Sequence, residues 1–100
     1  MQIAKVCGTV VSTHKDPSLT GIKFLLVQLL DEEGRPLPKY EVAADSVGAG
    51  VDEWVLVSRG SAARQVEGRD SRPLDALVVG IIDTVTVNNR FLYSKKDQYR

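Results

Sequence analysis

The sequence has few of the residues on which catalysis and metal binding usually depend. It contains one cysteine, Cys7, and one histidine, His14, among its 100 residues. A lone cysteine cannot form an internal disulfide, and a metal site needs several converging ligands. His14 lies in a polar turn, where a solvated histidine is the simpler interpretation. We therefore expect no metal and no cofactor, in a protein of the reducing cytoplasm.

The chain also lacks an excess of charge of either sign. Thirteen basic residues balance thirteen acidic ones, so no net field attracts nucleic acid or an anionic membrane. A low net charge also removes a barrier to self-association. The longest apolar run, Phe24 to Leu30, is interrupted by Gln28 and is too short to span a bilayer. No apolar signal-peptide core follows Met1. These absences predict a cytoplasmic protein that binds neither nucleic acid nor membrane.

The composition predicts one small domain over residues 1–100, with residues 94–100 as a frayed tail. A hydrophobic fraction of 43% and a charged fraction of 26% are ordinary for a globular domain of this length. β-branched and aromatic residues between turn signals predict the following strands, the last two forming a candidate C-terminal hairpin across Asn88-Asn89: Ile3 to Thr13, Ile22 to Leu30, Tyr40 to Asp45, Glu53 to Ser58, Leu77 to Ile82, Val85 to Val87 and Phe91 to Tyr93.

Glycines and apolar runs within these segments favour a barrel. Gly8 and Gly80 interrupt predicted strands, and a glycine inside a strand often marks a bulge or a barrel corner. Small residues from Gly60 to Gln65 suit a short helical turn. We therefore predict an all-β fold, a small five-stranded OB-like barrel with one short helix. The near-continuous apolarity of residues 22–30 implies burial on both faces, so one face should meet another chain.

Three patterns could be mistaken for sites of chemistry, and each has a structural interpretation. Ser61 has no base near it in the sequence, so we expect it to cap the short helix. Asp45 and Asp83 each follow an apolar strand and could form an enzyme's acid-base pair, but aspartates at strand ends usually bond turn amides. The glycine-rich loop at residues 48–50 resembles a phosphate cradle, but acidic residues follow it and no Lys-Ser/Thr pair opens a helix there.

Binding of single-stranded nucleic acid is the main alternative function for an OB-like barrel. Such folds use a basic groove and stacked aromatic side chains. The chain has six aromatic residues and no net charge, and burial in the core is the default expectation for Trp54 and Phe24. Nucleic-acid binding is therefore the alternative to a structural role, and salt-sensitive binding to oligonucleotides would support nucleic-acid binding.

The most informative stretch runs from Glu41 to Arg64. Two apolar strand-like runs are joined there by Gly48-Ala49-Gly50 and followed by a second turn of small residues, Gly60-Ser61-Ala62. With the segments given below, this stretch resembles the EutN/CcmL family, the vertex proteins of bacterial microcompartment shells, and the carboxysome members in particular. The resemblance extends from about Met1 to Val85, and its other parts are Val6 to Thr13, Lys15, Gly21 to Lys23, Asp75-Ala76 and Gly80 to Asp83.

The resemblance implies a structural, non-enzymatic role. Members of this family form cyclic homopentamers in which each subunit packs head-to-tail on the next. The chain would then cap the vertices of the carboxysome, a compartment for carbon dioxide fixation. Its neighbours would be hexameric shell proteins, and the carbon-fixation enzymes would be enclosed by the shell. The expected location is the carboxysome shell, within the cytoplasm.

Two groups of residues are the expected contacts in such a ring. The small residues Gly48, Ala49 and Gly50 suit a crowded ring centre, because glycine permits close backbone approach. A guanidinium group suits a bidentate pair with a carboxylate of a neighbouring subunit, although solvated arginines are the alternative. The expected subunit interface comprises the carboxylates, arginines and small residues around both turns: Asp45, Asp52, Glu53, Arg59, Gly60, Ser61, Ala62 and Arg64.

Overall fold

The computed structural model of the chain describes residues 1–12, 16–19, 21–60 and 75–96. Within these ranges there are seven strands and one short 3-10 helix, Pro17–Leu19. The strands are β1 (Gln2–Val10), β2 (Phe24–Leu30), β3 (Pro36–Asp45), β4 (Trp54–Arg59), β5 (Ala76–Ile81), β6 (Thr84–Val87) and β7 (Arg90–Ser94). Five of them close a barrel, while β6 and β7 form a separate two-stranded sheet. The predicted all-β, five-stranded barrel and its C-terminal hairpin are confirmed.

The barrel is closed by a short parallel contact. Its strands follow the order β1, β2, β3, β5 and β4, and β4 pairs back with β1. All neighbours are antiparallel except β3 and β5, which are parallel and pair through Ala44 with Leu77 and Asp45 with Val78. Elsewhere β3 pairs only with β2, so its first half has one edge outside the barrel ladder. This free edge explains why β3 can begin at Pro36 and contain Pro38, since proline is tolerated on sheet edges.

The strand boundaries correct several sequence-based predictions. β1 ends at Val10 rather than Thr13, and β3 begins at Pro36 rather than at residue 40. The glycine inside β1 does coincide with an irregularity, because the pairing of β1 with β2 shifts register between Val6 and Gly8. The residues predicted to form the short helix lie, from Ser61 onward, outside the described residues.

The inner faces of the barrel strands supply the core. Alternate residues of each strand point inward, because side chains alternate faces along a strand. The buried core residues are Ala4, Val6, Leu25, Val27, Leu29, Ala43, Ala49, Val55, Val57, Ala76 and Val78. A second cluster lies outside the barrel, where Leu19, Ile22, Phe24 and Val79 pack on Ala44 and Leu77. Phe24 and Trp54 are therefore half-buried outside the barrel core rather than within it, contrary to expectation.

The C-terminal hairpin turns at Asn88 and Asn89. Both residues have left-handed backbone angles, with φ of 51° and 63°. Two such residues form the turn type that matches the twist of a two-residue hairpin, and asparagine tolerates it well. The sequence predicts a frayed tail that begins at residue 94. In the structure, Ser94 belongs to β7 and the Lys95 amide donates to the Asp83 carbonyl at 2.8 Å. Residues 97–100 lie outside the described part of the chain.

Candidate functional site

The loop between β3 and β4, residues 46–53, is organised around the carboxylate of Asp45. This side chain is only 2% exposed. Its Oδ1 accepts hydrogen bonds from the amides of Val47 and Gly48, both at 3.0 Å, and its Oδ2 accepts one from the amide of Ala49 at 3.1 Å. The Lys23 ammonium lies 3.9 Å from Oδ2. Asp45 therefore fixes the first half of the loop from within its own subunit.

A second carboxylate fixes the other half of the loop. Glu53 is buried, and its Oε1 accepts a hydrogen bond from the Gly50 amide at 2.7 Å. Its Oε2 lies 3.1 Å from the Lys95 ammonium. The loop backbone is also tied to β1, because the Asp52 amide donates to the Val6 carbonyl at 2.8 Å. Hydrogen bonds to charged groups are the stronger ones, so the loop has a defined shape.

The tip of this loop presents small and apolar groups to the outside. Val47 and Val51 are 39% and 56% exposed, and Gly48 and Gly50 lie between them. The Ala49 methyl group points the other way and belongs to the barrel core, with 1% exposure. A substitution of Ala49 would therefore perturb folding of the barrel before it affected any contact with a neighbour.

This arrangement does not suit phosphate binding or acid-base catalysis. The loop amides that could cradle a phosphate already donate to two carboxylates of the chain. The carboxylate of Asp45 already accepts hydrogen bonds from these amides. Asp83, the other half of the considered acid-base pair, lies exposed in the connection between β5 and β6. Within the described ranges, no three His, Cys, Asp or Glu side chains are grouped so that they could hold a metal ion.

Asp52 is the exposed charge of the loop. Its φ of 73° is left-handed, a conformation that aspartate adopts more readily than most residues. Its carboxylate lies 3.7 Å from the Lys5 ammonium, and the two side chains are 70% and 43% exposed. Exposed ion pairs of this kind stabilise a protein by at most about 1 kcal/mol. Asp52 thus remains open to solvent or to a neighbouring molecule.

The predicted arginine site lies at the other end of β4. Arg59 is the last residue of that strand, about 16 Å from its first at the usual strand rise. Its guanidinium pairs with Glu41 of the same chain at 2.6 Å, and its side chain is still 50% exposed. Gly60 follows it, while Ser61, Ala62 and Arg64 lie outside the described residues. Of the predicted interface residues that the structure describes, Asp52 and Glu53 lie at the start of β4, and Arg59 and Gly60 lie at its end.

The barrel has an uncovered apolar patch that includes Leu26, from the run at residues 22–30 that was expected to meet another chain, whereas its members on β1 and β3 were not predicted. Gly8 pairs in register with Leu26, and Leu26 with Val42, so all three face outward from the barrel. Tyr40 lies on the same face, and Val42 and Tyr40 are 50% and 58% exposed. We call these four residues the outer patch. The signal for it was the inverted pattern of β3, in which Glu41 faces inward while its apolar neighbours face solvent.

Trp54 and Tyr93 do not form an open platform for bases. Trp54 stacks on Tyr93, with ring centroids 4.3 Å apart and an interplanar angle of 15°. The Tyr93 hydroxyl accepts a hydrogen bond from the Trp54 amide at 3.3 Å. One face of each of these two rings is therefore covered by the other, and the pair gives no support to nucleic-acid binding. No helix in the described part of the chain is long and apolar enough to cross a membrane.

Comparison with known proteins agrees with this architecture. A family model described as "Ethanolamine utilisation protein EutN/carboxysome" matches residues 1–83. The carboxysome shell vertex protein CcmL of Gloeobacter violaceus is 73% identical over 100 residues, which span the whole of both chains. A solved structure of Gloeobacter violaceus CcmL has a TM-score of 0.93 at 72% identity, covering 97% of this chain and 100% of that one. The pentameric microcompartment shell protein GrpN from Rhodospirillum rubrum has a TM-score of 0.80 at 49% identity, covering 87% of this chain and 99% of its own.

Proposed function

Since the chain belongs to the EutN/CcmL family, we propose that five copies assemble into a ring that occupies a vertex of a carboxysome shell. The observation that carries this proposal is the similarity to carboxysome shell vertex proteins along the entire chain. A shell built from hexagonal tiles needs five-fold units to close. The whole chain acts as one vertex domain, and its role is structural rather than enzymatic. Its neighbours are hexameric shell proteins, and the enclosed carbon-fixation enzymes are indirect partners.

The separation of the two predicted contact groups fits a ring of head-to-tail subunits. A cyclic pentamer uses two different surfaces of each subunit, because its contacts are heterologous. We take the start of β4, with Asp52 and Glu53, and the Arg59 end of that strand as two such surfaces, because they lie at opposite ends of β4. We place the outer patch against the next subunit as well. A neighbour there would cover Val42 and Tyr40, which the barrel leaves exposed.

The tip of the β3–β4 loop is placed near the five-fold axis. The outward groups at residues 47–51 are small or apolar, and the carboxylates of Asp45 and Glu53 are turned back towards the barrel. The exposed Asp52 follows this tip, and its charge is paired with Lys5. This favours a crowded ring centre, where five copies of an inward-facing charge would repel one another. Asp52 and Arg59 keep enough exposure to contact neighbouring subunits in addition to their partners within the chain.

Two measurements test the vertex role. A native mass spectrum of the purified chain should give a complex of about 55 kDa, five times the 11.0 kDa subunit. Deletion of the gene from its host should leave the carbon-fixation enzymes active and the compartments elongated or open. A monomeric or dimeric mass at all concentrations, or closed polyhedral compartments in a deletion strain without a second vertex protein, would contradict the proposal.

The loop placement is tested by Val51→Glu, with Val11→Glu as its matched control. Both valines are exposed, at 56% and 87%. Carboxylates about 8 Å apart around the axis would repel by about 0.5 kcal/mol per adjacent pair in water and about 2 kcal/mol at an effective dielectric of about 20. Val51→Glu should therefore loosen the ring at low salt and recover at high salt. If both variants give equally stable rings, the loop lies away from the axis.

A further inference from the structure

The C-terminal segment, residues 83–96, is attached to the barrel around one end of the β3–β4 loop. We call this segment, with β6 and β7, the C-terminal strap. Apart from its first residue, it lies beyond the residues that match the family model, which end at residue 83. Its contacts with the barrel include Trp54, which begins β4, Glu53 just before it, and Glu33 in the turn between β2 and β3. The strap is thus an addition to the barrel, joined to it at the base of the candidate ring-centre loop.

The first attachment is the stacked pair of Tyr93 and Trp54. Tyr93 is 8% exposed, and its hydroxyl accepts the hydrogen bond from the Trp54 amide. The edge of the indole at Cη2 approaches Gly34 of the β2–β3 turn, where an added Cβ would lie 2.7 Å from that atom. Arg90 of the strap adds an ion pair at 3.3 Å with Glu33 of the same turn. These contacts fix the direction in which the strap leaves the barrel.

The second attachment connects the strap to the loop itself. Lys95 lies two residues after Tyr93, and its amide is held by the Asp83 carbonyl at 2.8 Å. Its ammonium reaches Glu53 Oε2 at 3.1 Å, and Glu53 Oε1 accepts the Gly50 amide at 2.7 Å. The Glu53 side chain is only 9% exposed. One buried carboxylate therefore joins a lysine of the strap to a backbone amide of the loop.

From this relay we infer that Lys95 is a positioning residue, which holds the second half of the β3–β4 loop in shape through Glu53. A buried carboxylate is costly without a cation or hydrogen-bond donors. The Lys95 ammonium offsets this cost and fixes the rotamer that brings Oε1 to Gly50. Without it, Glu53 gains by turning towards solvent, and Gly50 loses its charged acceptor. The importance of this contact for ring assembly rests on the proposed function, whereas the relay itself does not.

The experiment compares Lys95→Met with Lys95→Arg and with Lys96→Met, the adjacent and exposed lysine. Hydrogen exchange of individual amides is measured by NMR or mass spectrometry on the full chain. Lys95→Met should speed exchange at Gly50 by about tenfold or more, the range expected when a charged hydrogen bond is lost. Exchange in the middle of β2 should stay unchanged. Lys95→Arg should restore slow exchange at Gly50, and Lys96→Met should leave it slow.

Two outcomes overturn the inference. Equal exchange at Gly50 in Lys95→Met and Lys96→Met would show that the lysine does not act on the loop. An equal acceleration at Gly50 and in β2 would show that Lys95 stabilises the whole barrel without positioning the loop. The mass of the ring is recorded in the same samples. A loosened Gly50 in an unchanged pentamer would support the relay and contradict the placement of the loop at the axis, so the two proposals fail separately.

Discussion

Substitution of Gly34 by alanine should destabilise the protein through a single, well-defined contact. Gly34 lies in the β2–β3 turn with a φ of +76°, and its missing Cβ would lie 2.7 Å from Cη2 of Trp54. Carbon atoms prefer separations of about 3.5 to 4.0 Å, so the indole would have to move by about 1 Å. Because Trp54 is stacked on Tyr93, that movement also disturbs the attachment of the C-terminal strap.

The expected magnitude has two parts. Placing alanine in a left-handed conformation costs about 1 kcal/mol. Overpacking against the indole adds about 1 to 3 kcal/mol, which includes partial loss of the aromatic stack. Gly21→Ala is the matched control, because Gly21 has a φ of +84° and an added Cβ there would have no atom within 4 Å. We therefore expect a loss of about 2 to 4 kcal/mol for Gly34→Ala and about 1 kcal/mol for Gly21→Ala.

The assay is urea unfolding of the two variants and the parent protein at one fixed protein concentration, since assembly makes stability concentration-dependent. Trp54 is the only tryptophan of the chain, so its emission reports directly on the disturbed contact. The native-state emission of Gly34→Ala should change, and that of Gly21→Ala should not. Equal losses of stability in the two variants, with equal emission, would refute the role assigned to the contact between Gly34 and Trp54.

Three further predictions concern assembly, the loop and pH. Gly8→Val should weaken the ring on dilution in native mass spectra, because the added side chain projects from the outer patch and an added Cβ has no atom of its own chain within 4 Å. Lys39→Ala is the control and should leave the ring intact. Equal dissociation of the two variant rings would place the patch outside the subunit contact. Asp45→Ala should cost about 2 to 4 kcal/mol in denaturant unfolding, since three loop amides lose a charged acceptor, and a loss below about 0.5 kcal/mol would contradict this. Hydrogen bonds from the Ser18 hydroxyl, and then from its amide, lower the pKa of Asp16. The contribution of Asp16 to stability is therefore present at neutral pH and disappears as pH falls through its folded-state pKa. An NMR titration of Asp16 that Ser18→Ala leaves unchanged would contradict this cause.

Several features of the fold follow from local sequence. β-branched alternation predicted the barrel strands, and the consecutive asparagines predicted the hairpin turn that the structure contains at Asn88 and Asn89. Gly8 predicted an irregularity in β1, which is present as a register shift. These features depend on residues close together in the chain, where turn chemistry and side-chain alternation act directly. The start of β3 was missed because Pro36 is a strand residue only where one edge stays unpaired.

The candidate site was only partly predictable. The sequence indicated that Asp45 and the loop at residues 48–50 matter, and it favoured an aspartate bonded to turn amides, which is its role in the structure. It did not give the partner of Arg59, since Glu41 is distant in the chain and reaches it only across the closed barrel. It also gave no sign that Lys95, which lies within the predicted tail, reaches Glu53. Ion pairs between residues distant in the chain depend on the pairing register of the strands and on the rotamers of both side chains.

The sequence by itself determined the family, the strand-rich composition and the location of the small-residue turns, because these are carried by residue type and local spacing. Tertiary structure decided which charges are turned inward, which apolar side chains remain exposed and what holds the β3–β4 loop. The physical reason is that a side chain's environment is set by all the strands around it. Closing the barrel through the short parallel pairing of β3 with β5 fixes which residues of distant strands face each other. Gly50 and Glu53 are close in the chain, but Lys95 reaches Glu53 only because the C-terminal strap packs on Trp54.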